Sequence, residues 1–103
     1  MDTVLIKEKH GIAVWCASTS SIKLCFSNLV FCMTIPELRD FMRELYYACP
    51  LEKNSSEGRE ISAYVLPTPI PTLQLAFTAK EQLYLLEFCK QAIQLAQNLV
   101  LAN

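Results

Sequence analysis

The chain has 103 residues, of which 52% are hydrophobic and 18% are charged, and its formal net charge is −1. This composition excludes an intrinsically disordered chain, and the lack of any run of Lys or Arg argues against nucleic-acid binding and against a polybasic membrane contact. A chain of this length is predicted to form a single domain over residues 1–103. The apolar excess in so small a domain favours burial against a partner or a second copy.

The N-terminal residues and the cysteines bear on localisation. Residues 1–7 have neither the basic start nor the long apolar run of a signal peptide, and the apolar tracts of the chain, residues 99–102 among them, are too short to span a bilayer. The chain has five cysteines, an odd number that does not suit a disulfide framework. The sequence therefore predicts a cytoplasmic protein whose free cysteines pack mainly as small apolar side chains.

Four short strands are predicted at the start of the chain. They cover residues 3–9, 12–16, 22–26 and 29–33. Val4 and Ile6 are expected on one face of the first strand, because side chains alternate along a strand. Gly11 follows at a turn, where a positive φ favours glycine. The third and fourth strands are separated by residues 27–28 and are predicted to form a hairpin in which Asn28 tolerates the left-handed conformation.

A strand, a capping box and a helix occur in this order twice. In the first copy Thr34 is followed three residues later by Glu37, and in the second copy Thr78 is followed by Glu81. In such a box the hydroxyl accepts a hydrogen bond from the N3 amide and the carboxylate accepts one from the N-cap amide. A helix is therefore predicted to begin after each threonine, each time directly after an alternating apolar strand.

The two predicted helices differ in how their apolar side chains are distributed. The first, residues 35–49, has a single apolar stripe and is ended by Pro50. The second, residues 79–101, has an apolar arc of about 200°, wider than the usual stripe. The stripe comprises Leu38, Phe41, Met42, Leu45, Tyr46 and Cys49, and the arc comprises Tyr84, Leu85, Leu86, Phe88, Cys89, Ala92, Ile93, Leu95, Ala96 and Leu99. Two explanations remain open, a central position in the fold and a two-fold interface on the second flank.

Between the helices the sequence predicts a loop at residues 51–59 and strands at residues 60–66 and 72–77. Residues 67–71 contain three prolines at alternate positions, which suits a stiff arch joining these two strands. The predicted fold is α+β, an antiparallel sheet of five or six strands with both helices on one face. The predicted core comprises Leu24, Phe26, Leu29, Phe31, Met33, Leu75 and Phe77 on the sheet and Phe41, Leu45, Leu85, Leu86 and Cys89 on the helices.

Residues of catalytic type are sparse. The single histidine, His10, lies at a predicted turn, the two glycines do not allow a glycine-rich phosphate loop, and no recognised metal-binding spacing occurs. The sequence therefore identifies no catalytic residue, no cofactor and no metal-ligand set. Enzymatic activity is left open, with a non-enzyme favoured.

Three strand cysteines, Cys16, Cys25 and Cys32, are the candidates for a metal- or thiol-dependent site. In the predicted hairpin Cys25 lies opposite Val30 and Cys32 lies opposite Lys23, so both cysteines lie on one face of the sheet. Their spacing matches no common ligand pattern, and this site is kept as an alternative.

Several segments together resemble a family of small uncharacterised bacterial proteins, a domain of unknown function. The segments are HGIAVWC at residues 10–16, IKLCF at 22–26, PTP at 67–69 and LQLAFT at 73–78. Many members of that family have a CxxC pair after the second strand. Here the matching positions are Cys16 and Thr19, so the resemblance implies a member that lacks one cysteine of the pair, and it implies no activity.

The sequence as a whole favours a small non-enzymatic, cytoplasmic interaction module that forms a homodimer through its second helix, with neither nucleic acid nor membrane as a partner. A metal- or thiol-dependent protein is one alternative. The other is a small-molecule-binding domain with a pocket between the sheet and residues 67–71.

Overall fold

The structure, a computed structural model, describes residues 2–50 and 63–102, which form an α+β fold. The strands are β1 (Asp2–Lys7), β2 (Gly11–Cys16), β3 (Ser21–Phe26), β4 (Leu29–Thr34), β5 (Cys49–Pro50), β6 (Ala63–Pro67) and β7 (Gln74–Thr78), and the helices are α1 (Ile35–Tyr46) and α2 (Ala79–Ala102). The loop predicted at residues 51–59, and the first residues of the strand predicted at 60–66, lie outside the described residues.

The described strands form two antiparallel sheets. β1 to β4 pair in chain order as a four-stranded sheet, and β5 to β7 pair in chain order as a second, smaller sheet. The prediction of five or six strands in one sheet was therefore wrong. Side-chain alternation shows that a segment is a strand with an apolar face, but it carries no information about which sheet edge the strand joins.

Both predicted capping boxes are confirmed. The Glu37 amide donates to the Thr34 hydroxyl over 3.3 Å, and the Thr34 amide donates to the Glu37 carboxylate over 2.9 Å. The same two hydrogen bonds join Thr78 and Glu81, over 3.1 Å and 2.9 Å. Since β4 ends at Thr34 and β7 ends at Thr78, the strand–helix unit occurs twice, as predicted.

The first helix is three residues shorter than predicted. α1 ends at Tyr46, which is exposed rather than part of the buried stripe, and the Tyr47 amide closes the last turn by donating to the Arg43 carbonyl. Cys49 and Pro50 form the short strand β5, paired with β6. Pro50 therefore lies in the outermost described strand of the smaller sheet, and edge strands tolerate proline.

α2 lies at the centre of the fold and contacts α1 and strands of both sheets. Phe88 on one flank of its apolar arc and Ile93 on the other are both buried. Packing within the chain therefore accounts for the unusual width of the arc, and the interface predicted on this helix stays a prediction. The exposed large apolar side chains of α2 are Leu83, Leu95, Val100 and Leu101.

The predicted core is confirmed, because each of its residues is either buried or packed against the buried cluster. The cluster extends beyond the prediction to Ala13, Trp15, Ile22, Leu38, Leu66, Phe88, Ala92, Ile93 and Ala96. It joins the two sheets, since Leu66 and Phe77 of the smaller sheet belong to the same cluster as Trp15 of the larger one.

The first strand contains an irregularity that the sequence analysis missed. Val4 pairs with Val14, but Ile6 pairs with Ala13, so the register shifts between Val4 and Ile6. An extra residue in one strand moves the following side chains to the other face of the sheet. Val4 and Ile6 therefore do not share a face, and Val4 is 59% exposed.

Two turn predictions are also corrected. Gly11 is the first residue of β2 and does not have a positive φ. In the hairpin between β3 and β4, Ser27 rather than Asn28 adopts the left-handed conformation, with φ 54°. The role of Gly11 is spatial, because a Cβ there would lie 3.1 Å from two ring carbons of Phe88.

Candidate functional site

A cleft of about 550 Å³ opens where three parts of the fold meet. The turn between β1 and β2 supplies residues 8–12, the end of β3 and the residue after it supply residues 25–27, and the first turns of α2 supply Lys80, Glu81 and Tyr84. This volume lies within the range of small-molecule sites in proteins.

An aromatic cluster forms one wall of the cleft. The ring of Tyr84 stacks against Phe26 and Phe88, with centroid separations of 5.6 Å and 5.9 Å, and meets His10 edge to face at 6.1 Å. Phe26 and Phe88 are buried in the core. Stacked aromatic pairs have a preferred geometry, so the Tyr84 ring is held in place by the core behind it.

The hydroxyl of Tyr84 donates a hydrogen bond to the Glu8 carboxylate over 3.3 Å. Burial raises the pKa of Tyr84, and the charge of Glu8 together with this hydrogen bond raises it further. The phenol therefore stays protonated at neutral pH and acts as a hydrogen-bond donor. It links α2 to the turn between β1 and β2.

The charged groups of the cleft differ in whether they have partners. The carboxylate of Glu8 accepts from Tyr84, and that of Glu81 accepts from the backbone amide of Thr78. In the part of the chain that the structure describes, neither Lys9 nor Lys80 has a carboxylate within ion-pair distance. The cleft thus presents two unpaired cations beside two carboxylates that already have donors.

The strand cysteines lie where the hairpin register predicted them. Cys25 pairs with Val30 and Cys32 pairs with Lys23, which confirms the predicted register. The hydroxyl of Ser21 lies 3.5 Å from the Cys32 sulfur and links that cysteine to the end of β3.

Cys16 occupies the same face of the sheet, opposite Ser21 in β3. Burial and the nearby charge of Asp2 raise its pKa, which lowers its thiolate fraction at neutral pH. Among residues 2–50 and 63–102, no three His, Cys, Asp or Glu side chains are grouped closely enough to share a metal ion. His10 lines the cleft together with Cys25, whereas Cys16 and Cys32 are not among its lining residues.

The cleft is not predicted by the sequence. The helical pattern places Tyr84 in an apolar arc, and no local pattern connects residues 8–12 with residues 80–84. These segments meet only because α2 crosses the end of the four-stranded sheet.

The pocket that the sequence predicted near the arch at residues 67–71 is a different place, since no residue of the arch lines the cleft. The arch is organised around Thr68, whose hydroxyl accepts from the Ile70 amide and donates to the Leu73 carbonyl over 2.7 Å.

The fold and the cleft define a small α+β domain in which a central helix joins two antiparallel sheets. Comparisons with protein-family models, with curated proteins and with solved structures found no match. The resemblance to a small bacterial family, and the incomplete CxxC pair that it implies, therefore stay predictions. Neither described helix combines the length and the apolarity needed to cross a bilayer.

Proposed function

We propose that this chain is a small, non-enzymatic cytoplasmic interaction module that self-associates through the outer face of its four-stranded sheet. The outer face consists of the side chains of β1 to β4 that point away from the helices. Its members are Asp2, Val4, Lys7, Ile12, Val14, Cys16, Ser21, Lys23, Cys25, Val30, Cys32 and Thr34. The observation that carries the proposal is that this face is mostly apolar, whereas a solvent-facing side of an antiparallel sheet is normally polar.

The strand register arranges these side chains in rows across the sheet. One row is Val4, Val14, Lys23 and Cys32, and the next is Lys7, Ile12, Cys25 and Val30. Val4 and Val30, in the two edge strands, are 59% and 62% exposed. Each of these two rows contains a single charged residue, a lysine, and the aliphatic stem of lysine can lie along apolar surface while its ammonium reaches water.

Burial alternates sharply between the two faces. On β3, Ile22 and Leu24 are fully buried against the helices, whereas Lys23 between them is exposed and Cys25 is half-buried. Within the described residues, both helices pack on the inner face. No described residue outside the sheet is placed on the outer face, and an exposed apolar sheet face is typical of a protein–protein interface.

A second copy of the chain is the occupant that the charges favour. On this face Asp2 lies at one end of β1 and Lys7 at the other. In a dimer whose two-fold axis runs across the strands, Asp2 of each copy would lie over Lys7 of the other copy. Two sheets stacked in this way would form a sandwich with a shared apolar layer. The free thiols of Cys16, Cys25 and Cys32 support a reducing, cytoplasmic location.

α2 is the competing location, because the sequence predicted a two-fold interface on one flank of this helix. Leu95, Val100 and Leu101 are exposed in its last turns. They lie at different angles around the helix rather than in one stripe, which favours the outer face as the interface.

Light scattering after size-exclusion chromatography tests the proposal. The wild-type chain is expected to have the mass of a dimer of 11.7-kDa subunits. Val4→Lys with Val30→Lys is expected to give a monomer with an unchanged far-UV circular dichroism spectrum, because both side chains are exposed and the added charges would repel across the interface. The matched control, Val100→Lys with Leu101→Lys, is expected to remain a dimer.

A monomeric wild-type chain would overturn self-association. A dimer that survives the sheet substitutions but is lost in the α2 control would overturn the outer face as the interface and place it on the helix.

A further inference from the structure

We infer that the cleft at the start of α2 binds a small aromatic monocarboxylate, with the carboxylate between Lys9 and Lys80 and the ring against Tyr84. The cleft shares Ile12 and Cys25 with the outer face of the sheet, but the two lysines and Tyr84 on which this inference rests do not belong to that face.

The two lysines of the cleft, Lys9 and Lys80, favour a ligand with an anionic group. Lys9 lies in the turn between β1 and β2 and Lys80 lies in the first turn of α2, and both residues line the same cleft. As far as the described residues extend, neither lysine is paired with a carboxylate of the protein. A ligand carboxylate between them would gain charge-assisted hydrogen bonds that no group of the described chain supplies.

The aromatic wall of the cleft favours a ligand that contains an aromatic ring. Tyr84, fixed by stacking against Phe26 and Phe88, presents an aromatic surface whose position the buried core determines. Ile12 near the start of β2 and Cys25 near the end of β3 also border the cleft. A planar aromatic group can stack on or meet Tyr84 edge to face, as His10 already does from one side.

The remaining charges limit the ligand to a single negative charge. Glu8 and Glu81 lie in the same lining and balance the two lysines, so the cleft has no net positive charge when His10 is neutral. A phosphate dianion or a polyphosphate would be repelled by these carboxylates, whereas a monocarboxylate could approach the lysines alone. The phenol of Tyr84 already donates to Glu8 and keeps that carboxylate turned to the protein.

Chemical-shift titration of the ¹⁵N-labelled full chain with benzoate tests the inference. Saturable shifts are expected at the amides of residues 9–12 and 80–84. Benzamide, which has the ring without the charge, acetate, which has the charge without the ring, and inorganic phosphate are each expected to bind at least about tenfold more weakly, since each lacks one of the required interactions.

Lys9→Ala with Lys80→Ala is expected to weaken benzoate binding by about tenfold or more, because both charge-assisted contacts are removed. Lys90→Ala is the matched control, since Lys90 is an exposed lysine of the same helix that does not line the cleft, and it is expected to leave the affinity unchanged. Equal binding of benzoate and benzamide, tighter binding of phosphate, shifts elsewhere in the chain, or no binding of benzoate would overturn the inference.

Discussion

At the scale of single residues, Gly11 determines how closely α2 approaches the sheet. A Cβ at this position would lie 3.1 Å from ring carbons of Phe88 and 3.4 Å from the carbonyl oxygen of Cys25. The Phe88 side chain is only 2% exposed, so its ring has little room to move away. The glycine is therefore required by packing rather than by backbone conformation.

Gly11→Ala is expected to lower the free energy of unfolding by about 1–3 kcal/mol, because the added methyl group overpacks the contact with Phe88. Urea denaturation measures this change. In the double variant Gly11→Ala with Phe88→Leu, the smaller side chain makes room, so the total cost is expected to be less than the sum of the two single costs. Additive costs would show that Gly11 and Phe88 do not interact in this way.

Gln82 is a second residue whose role depends on a distant partner. Its side-chain amide donates to the carbonyl oxygen of Leu45 over 2.6 Å, and both residues are buried. This hydrogen bond satisfies a carbonyl near the end of α1 from the first turn of α2. The two helices are thereby joined by a polar contact within an otherwise apolar interface.

Gln82→Glu is expected to destabilise the protein at neutral pH by about 1–3 kcal/mol, because a carboxylate cannot donate to the Leu45 carbonyl and would be buried facing it. Burial would raise the pKa of the new carboxyl in the folded state. The lost stability should therefore return as the pH falls below that raised value, because the protonated acid can donate again. Gln94→Glu on the exposed side of the same helix is the control in pH-dependent urea denaturation, and an equal pH dependence in both variants would contradict the assignment.

At the scale of secondary-structure elements, both helices begin with the same pair of hydrogen bonds, between a threonine and a glutamate three residues later. Thr34→Ala and Thr78→Ala are each expected to lower the free energy of unfolding by about 1 kcal/mol, because an N3 amide loses its acceptor. Urea denaturation is the measurement, and Thr34→Ser should retain most of the stability. A serine variant as unstable as the alanine variant would show that the hydroxyl is not what matters.

The capping box of α1 also makes the stability of the folded protein depend on pH. The backbone hydrogen bond from Thr34, and then the hydrogen bond from its hydroxyl, hold the pKa of Glu37 below its usual value. A lowered folded-state pKa contributes stability above the ordinary carboxyl pKa, and this contribution is lost as the pH falls through the folded value. The Glu37→Gln variant keeps a hydrogen-bond acceptor but has no titrating charge. As the pH is lowered below about 5, this variant is therefore expected to lose less stability than the wild type. An unchanged acid profile would contradict this role.

At the scale of the whole molecule, one buried cluster extends through both sheets. Trp15 in the four-stranded sheet and Phe77 in the smaller sheet belong to it, and α2 contacts both sheets. The two sheets should therefore unfold together rather than as separate units.

Phe77→Leu is expected to destabilise the whole chain by about 1 kcal/mol through lost burial at one end of the shared core. Fluorescence of Trp15 and far-UV circular dichroism should follow a single coincident transition in both the wild type and the variant. If the Trp15 transition stayed at the wild-type urea midpoint while circular dichroism shifted, the sheets would be independent.

The sequence by itself determined the helix starts at Thr34 and Thr78, the extended segments before them and most of the core residues. These features depend on neighbours within a few positions, such as a hydroxyl and a carboxylate three residues apart or apolar side chains at alternate positions. Only the tertiary structure decided the division into two sheets, the change of face within β1 and the cleft. Each of these depends on contacts between residues far apart in the chain, as between Glu8 and Tyr84, and such contacts exist only once the helix has packed across the sheet.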